Sequence, residues 1–452
     1  MTAVKINEKF LDAELIASAN ALQGDAVEHL AALQNKDCNG AEFTGWWDYP
    51  QHSGFALEQE IQNYIRDLDI NYDLVLVIGI GGSYLGTRAV TEALLHSYQG
   101  LVKSQQPLVA FAGHHISETQ LIEVIELIDK RLPIINVISK SGTTTEPGVA
   151  FRILRTYLET RFGKEEARRR IICTTDEKSG ALRQLVKEEG YKSFSIPDDV
   201  GGRFSVLTAV GLVPLALLKL DTKALLEGAS SIFSELSGNS KDHPVLRYAT
   251  LRSAAYEQGK SVEIMATNNP KLAYIVEWWK QLFGESEGKE GKGLFPAGLV
   301  YTTDLHSLGQ YVQEGKRNFV ETFLSFENDR PRRNGVEQQL RVPAMAQKLD
   351  GLGHLEGRLI NEINDAAMSG TMIAHADGGV PSLALKLPVL DEYHLGVLFA
   401  FFESACAVSG AMLGVNPYDQ PGVEAYKKNL FALTGKPGSE ALRAKLKERM
   451  GH

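Results

Sequence analysis

The chain has 452 residues, with 47 Lys and Arg against 56 Asp and Glu, a formal net charge of −9, and 44% apolar residues. That length exceeds what one ordinary hydrophobic core holds and argues for two domains. The acidic balance argues against a general affinity for nucleic acid or for an anionic membrane, although it leaves room for a locally basic pocket.

The opening MTAVKINEKFLDAELI is charged and amphipathic, unlike a signal peptide. Long apolar stretches are broken by charges or glycines, so no transmembrane helix is predicted. Cys38, Cys173 and Cys406 form no CxxC pair and read as reduced packing residues. A cytoplasmic protein is expected.

From about residue 5 to residue 70 the chain reads as helical, broken near Thr44 to Gly54. Short apolar runs follow at Leu74–Ile78, Leu108–Ala112, Ile134–Ile138, Ile171–Thr174 and Phe194–Ile196, with helical spacing between them at Tyr84–His96 and Glu118–Ile128. Alternation of this kind predicts βαβ units and a parallel sheet buried on both faces. After Leu220 a second series appears. Strands are expected at Ser261–Ala266, Leu294–Tyr301, Asn318–Phe326 and Leu383–Leu387, and helices at Lys271–Gly284, Asp304–Glu314, Leu359–His375 and Tyr393–Leu413. The reading is α/β: two doubly wound parallel-sheet domains with helical N- and C-terminal segments. The expected divisions are 1–70, 71–215, 216–437 and a tail at 438–452. No low-complexity linker separates the domains, so a site at their interface is expected.

The first chemistry-bearing motif is LVLVIGIGGSYLGTRA, from Leu74 to Ala89. A strand runs into Gly79, Gly81, Gly82 and Ser83 and then a helix, which suits a phosphate at free amides and a positive dipole end. A dinucleotide fingerprint would need glycine at Tyr84, and a nucleotide P-loop would need lysine at Thr87. The second is INVISKSGTTTEP, from Ile135 to Pro147. Its turn carries hydroxyls at Ser139, Ser141, Thr143, Thr144 and Thr145, with Lys140 among them. One helix cap needs one hydroxyl; five within seven residues can ring a monophosphate with donors. Paired in this way, the strand–GIGGS–helix and strand–SKSGTT–helix units resemble the sugar isomerase (SIS) fold, whose members bind phosphosugars at the strand ends.

Four further motifs narrow the resemblance. DVGGRFSVLTAVGL (Asp199 to Leu212) places Arg203 at an expected helix start, where the dipole disfavours a cation and invites an anionic partner. EWWKQLFGESEGKEGKG spans Glu277 to Gly293, TDLHSLGQYVQEG spans Thr303 to Gly315, and YDQPGVEAYKKNL spans Tyr418 to Leu430. Taken by themselves these read as a solvated loop, a helix start and an exposed helix. Together and in this order, over about residues 40 to 435, they resemble the phosphoglucose isomerases in a compact bacterial form. The resemblance implies interconversion of D-glucose 6-phosphate and D-fructose 6-phosphate through a cis-enediolate, in glycolysis and gluconeogenesis. Carried over residue by residue, it implies Glu285 as the base, with Glu290 and Glu287 as rivals, and Arg203 stabilising enediolate charge. His306 and Lys427 would open the sugar ring. Gly82, Ser83, Ser139, Lys140, Ser141, Thr143, Thr144, Gln281 and Gln420 would contact substrate. One carboxylate can carry the proton from C2 to C1 if partial burial brings its pKa nearer neutrality, so Glu285 is expected to be desolvated.

The family's common homodimer implies that His306 reaches across to the neighbouring subunit's site. No cofactor is expected, and no metal, because HxH, HExxH and clustered Cys/His ligands are missing; His114-His115 comes nearest. An isomerase that also accepts mannose 6-phosphate stays open. A non-catalytic phosphosugar sensor would not need Glu285, His306, Lys427 and Arg203 together. A nicotinamide enzyme is disfavoured by Tyr84 and by the second phosphate-type loop.

Overall fold

The computed structural model describes residues 3–102, 105–238, 241–329, 332–333, 336–347 and 349–451. The chain begins with a strand, β1 (Lys5–Phe10), where a helical segment is expected. Its exposure alternates residue by residue, with Ile6, Glu8 and Phe10 half-buried and Lys5, Asn7 and Lys9 exposed, which suits an edge strand, and Lys5 stands opposite Lys386 in an antiparallel pair. Helices α1 (Ala13–Ala21), α2 (Gln23–Gln34) and α3 (Phe55–Arg66) follow. The Asp12 carboxylate accepts from the Leu15 amide at 2.7 Å and caps α1. In the break before α3, buried Trp46 stacks on Phe204 with ring centroids 4.9 Å apart.

Next comes the expected parallel sheet. Its members are β2 (Leu74–Ile78), α4 (Gly82–Leu94), β3 (Leu108–Ala112), α5 (Glu118–Lys130), β4 (Pro133–Ile138), α6 (Thr145–Phe162), α7 (Lys164–Arg169), β5 (Ile171–Asp176), α8 (Ala181–Glu189) and β6 (Lys192–Ile196). Every residue of β2 and β4 is buried, as continuous apolar strands with helices on both faces must be. The strand order is β3-β2-β4-β5-β6, all parallel. The chain steps from β2 to β3 on one side and then crosses to β4 on the other. Succession reverses there, so the loops leaving β2 and β4 diverge and open a crevice at their carboxyl ends.

The second unit holds α9 (Ala209–Leu217), α10 (Thr222–Ser237), α11 (Pro244–Glu257), β7 (Val262–Thr267), α12 (Ala273–Glu287), β8 (Phe295–Val300), α13 (Gly309–Glu314) and β9 (Phe319–Asn328). A two-residue pair, β10 (Arg332–Arg333) and β11 (Val336–Glu337), precedes α14 (Ile360–Asp377), β12 (Ser382–Val389), α15 (Glu392–Met412), α16 (Glu424–Leu433) and α17 (Glu440–Arg449). Its sheet runs β1-β12-β9-β7-β8 and is parallel except for β1. The helix expected over Asp304–Glu314 is two pieces, a 3-10 turn at Thr303–His306 and then α13. The Asp304 side chain accepts from the Val300 amide at 2.7 Å instead of capping a continuous helix.

Apolar α15 is long enough to cross a membrane, yet it is almost wholly buried among α2, α10, α11 and α12. It is the central core helix. Two glycines allow α10 and α15 to touch backbone to backbone. A Cβ on Gly228 would lie 1.8 Å from the Tyr393 carbonyl oxygen, and one on Gly396 would lie 1.8 Å from that of Leu225.

The same core holds a buried charge cluster. Arg252 of α11 contacts Glu263 of β7 and bonds Glu287 of α12 at 2.6 Å. Tyr248 and Thr322 donate to Glu263 at 2.6 and 2.7 Å, and Ser409 donates to Glu287. Arg252→Met strands two carboxylates without a cation and is expected to destabilise the fold by about 3 kcal/mol. Denaturant unfolding of the variant beside the wild type measures this.

Candidate functional site

The two units meet where α4 packs on α12. Helix α4 starts straight after β2, in the crevice, with Gly81 at its N-cap in a positive-φ conformation (φ 59°) and no side chain capping its amides. A Cβ on Gly82 would lie 1.9 Å from the Gly202 carbonyl oxygen and 2.9 Å from the Arg203 nitrogen. The glycine therefore lets the first loop lie directly against the segment that carries Arg203.

The second loop leaves β4, the strand paired with β2. Ser139 Oγ accepts from the Gly142 amide at 3.0 Å, and Ser141 Oγ accepts from the Thr143 amide and hydroxyl at 3.1 and 3.0 Å. Thr144 stands at the N-cap of α6 without a capping hydrogen bond, so the amides of that helix end remain open to a ligand. Lys140 departs from expectation. Its ammonium donates to the carbonyls of Pro197 at 3.1 Å and Asp198 at 2.8 Å, which ties the second loop to the segment leading into Arg203. The charge is engaged by fixed carbonyl oxygens that no local pattern advertises.

Arg203 lies in a 3-10 turn, Gly202–Phe204, well ahead of α9, and not at a helix start. It is 2% exposed. Its Nε donates to Ser286 Oγ at 2.7 Å; one terminal nitrogen donates to Glu285 Oε2 at 3.2 Å and to Gln420 Oε1 at 3.0 Å. The other donates to the carbonyls of Pro417 and of Asp419, the latter at 2.9 Å. Burial pulls the guanidinium below its ordinary pKa, and the charge of Glu285 offsets part of that pull. What satisfies the buried cation is thus a ring of acceptors rather than a helix dipole.

Glu285 occupies the last turn of α12, one turn after Gln281, whose amide donates to Glu285 Oε1 at 3.0 Å. Each carboxylate oxygen is therefore held by a different neighbour. The side chain is 35% exposed, less desolvated than expected, because it stands at the mouth of the crevice. Of its two rivals, Glu287 is buried against Arg252 and Ser409, and Glu290 is exposed and pairs with Lys292 at 3.2 Å. A cleft of about 840 Å³ runs beside this turn of α12, lined by Leu85, Lys280, Gln281, Gly284 and Phe295.

Arg203, Gln281, Glu285 and Gln420 thus converge beside Gly82. His306 does not join them. The end of α12 leads into the amino end of β8, whereas His306 follows its carboxyl end, exposed in the 3-10 turn. Six residues of strand separate the two edges by roughly 17–20 Å. Lys427 lies on α16 and bonds Glu424 at 2.8 Å, with 44% of its side chain exposed. Its neighbour Tyr426 reaches Glu146, in the first turn of α6, at 3.1 Å, which sets α16 beside the second loop.

Sequence reasoning missed Lys289. It is 9% exposed, bonds Asp419 at 2.8 Å and also reaches the Asn416 carbonyl. Its partners come from a segment more than a hundred residues away, so spacing carries no sign of the pairing. Of the neighbouring histidines, His114 stacks on Tyr84 at 4.4 Å, and burial lowers its pKa to about 4. Among the described residues no group of three or more His, Cys, Asp or Glu side chains is placed to hold a metal ion.

A crevice at the reversal of a parallel sheet, with open helix amides and a carboxylate braced by a buried guanidinium, is an arrangement suited to a small phosphorylated substrate. The family model described as phosphoglucose isomerase matches residues 69–432. Curated relatives named glucose-6-phosphate isomerase include one from Alkaliphilus metalliredigens, 50% identical over 92% of each chain, and one from Clostridioides difficile, 49% identical over 92% of each. The fold is similar to that of a hypothetical protein from Thermus thermophilus (TM-score 0.82, 27% identity, 94% of this chain and 98% of that one). It is similar also to a glucose-6-phosphate isomerase from Chlamydia trachomatis (TM-score 0.78, 20% identity, 98% of this chain and 92% of that one). The chain belongs to the phosphoglucose isomerase family.

Proposed function

We infer that this chain interconverts D-glucose 6-phosphate and D-fructose 6-phosphate by proton transfer between C2 and C1, and that Glu285 is the group that carries the proton. The observation behind this reading is the Glu285 carboxylate held between Gln281 at 3.0 Å and Arg203 at 3.2 Å. The phosphate would rest on the amides of α4 and α6, with Gly82, Ser83, Ser139, Ser141, Thr143 and Thr144 around it. Lys140 would shape that cradle from behind. In the open-chain aldose, Glu285 takes the C2 proton. The C–H electrons form the C1=C2 bond, and the carbonyl electrons move onto O1. Arg203 would stabilise the oxyanion by a charge already in place. A proton passes from O2 to O1, Glu285 returns its own to C1, and O2 is left as the ketone oxygen.

Ring opening falls to His306 with Lys427. Because β8 separates His306 from Glu285 within one chain, we propose a homodimer in which His306 of the partner subunit completes each site. Mixing His306→Ala chains with Glu285→Gln chains tests this. Random reassembly should restore roughly a quarter of wild-type activity, since half of the dimers then hold one intact site. A histidine acting within its own chain restores none. Unpaired cysteines support a cytoplasmic setting, with roles in glycolysis and gluconeogenesis.

A coupled assay with fructose 6-phosphate, following glucose 6-phosphate in the presence of EDTA, is expected to show full turnover. Phosphosugar binding without turnover would instead indicate a sensor, and loss of activity to EDTA would overturn the metal-free reading.

A further inference from the structure

The five-residue loop 416–420 is gripped by two cations. Arg203 takes the Pro417 carbonyl, the Asp419 carbonyl at 2.9 Å and the Gln420 side chain at 3.0 Å. Lys289 takes the Asn416 carbonyl and the Asp419 carboxylate at 2.8 Å. The loop is held on a third side as well. Asn416 Oδ1 accepts from the Tyr418 amide at 2.9 Å, and a Cβ on Gly40 would lie 2.5 Å from that same oxygen. The loop therefore has little freedom to slide, and Lys289 stands four residues beyond Glu285 on the segment that carries the base.

Asp419 is the residue that both cations share, Arg203 through its backbone and Lys289 through its side chain. The Asp419 carboxylate is half exposed, while the Lys289 ammonium is nearly buried. The Asp419 carboxylate already lies within electrostatic reach of Arg203, so without that ammonium the guanidinium would be the cation left to draw it.

We propose that Lys289 is a positioning residue for the isomerisation: it holds the Asp419 carboxylate away from Arg203, so that the guanidinium charge stays available to the enediolate. The inference rests on the reading of Arg203 and Glu285 given above. It requires no contact between Lys289 and the sugar. It makes the cost of losing Lys289 depend on one carboxylate, and it confines that cost to the step in which charge develops on oxygen.

The test compares wild type, Lys289→Met, Lys289→Gln and the double variant Lys289→Met/Asp419→Asn, measuring kcat, KM for fructose 6-phosphate and the thermal midpoint. Lys289→Met is expected to lower kcat on the order of thirtyfold with KM nearly unchanged. Lys289→Gln, which keeps a donor for the Asn416 carbonyl, should show the same loss and serves if the methionine variant fails to fold. The double variant should recover most of the lost kcat, because the competing carboxylate is gone. Wild-type kcat in both single variants overturns the proposal. So does a double variant no faster than Lys289→Met, since Lys289 would then act only as a strut. Glu285→Gln is run alongside: if that enzyme stays active, the underlying reading falls, whatever the lysine variants show.

Discussion

Glu285→Gln is expected to lower kcat by about a thousandfold or more while phosphosugar binding survives. The amide has the size of the carboxylate and keeps one oxygen to accept from Arg203 or from Gln281, so the local packing holds. What it lacks is a lone pair basic enough to take a proton from carbon. The direct readout is exchange of the C2 hydrogen with solvent deuterium, which should stop in the variant. Continued exchange at the wild-type rate would remove Glu285 from the mechanism and reopen the choice among glutamates, although Glu287 is already engaged by Arg252 and Ser409.

Arg203→Lys should lower kcat on the order of a hundredfold, for a different reason. The charge remains, but an ammonium has no planar fork. It cannot serve Ser286, Glu285, Gln420 and the carbonyls of Pro417 and Asp419 at once. Arg203→Met goes further and leaves those buried acceptors without a donor, at a cost of about 3 kcal/mol in stability as well as the lost charge. Measuring the thermal midpoint beside kcat separates the two. The lysine enzyme should lose less stability than the methionine enzyme, because it still serves some of the acceptors, and should turn over poorly. Equal kcat in the lysine enzyme and the wild type would show that the fork geometry has no part in the reaction.

The parallel sheet was legible because strands buried on both faces are written as unbroken apolar runs, and Leu74–Ile78 is found with the same ends in the structure. The two phosphate-type loops were legible because glycine and hydroxyl residues cluster where strand turns to helix. β1 was not. KINEKF has only Ile6 and Phe10 apolar, four residues apart, which fits a helix turn as well as an edge strand, and the pairing that decides between them lies near residue 385. Lys140 misled for a related reason. A lysine among hydroxyls looks ready for an anion, but the Pro197 and Asp198 carbonyls that take it come from beyond β6. The motif around Glu285 carries three glutamates at similar spacing; tertiary partners, not spacing, put each in a different environment. His306 and Glu285 sit in neighbouring motifs and at opposite edges of one sheet, a separation that the intervening strand imposes.

The edge strand β1 also bears on how the chain is made. It leaves the ribosome long before its pairing partner, β12, which emerges only after nearly four hundred residues. The β2–β6 sheet draws on consecutive stretches of chain and can form during synthesis. The other sheet stays unfinished until its last strand arrives and the waiting β1 closes its border. A nascent chain that has not reached β12 leaves the flank of β9 unsatisfied, and a chain clipped between β1 and α1 that loses β1 leaves that of β12 so, the kind of surface that recruits a strand from a stranger.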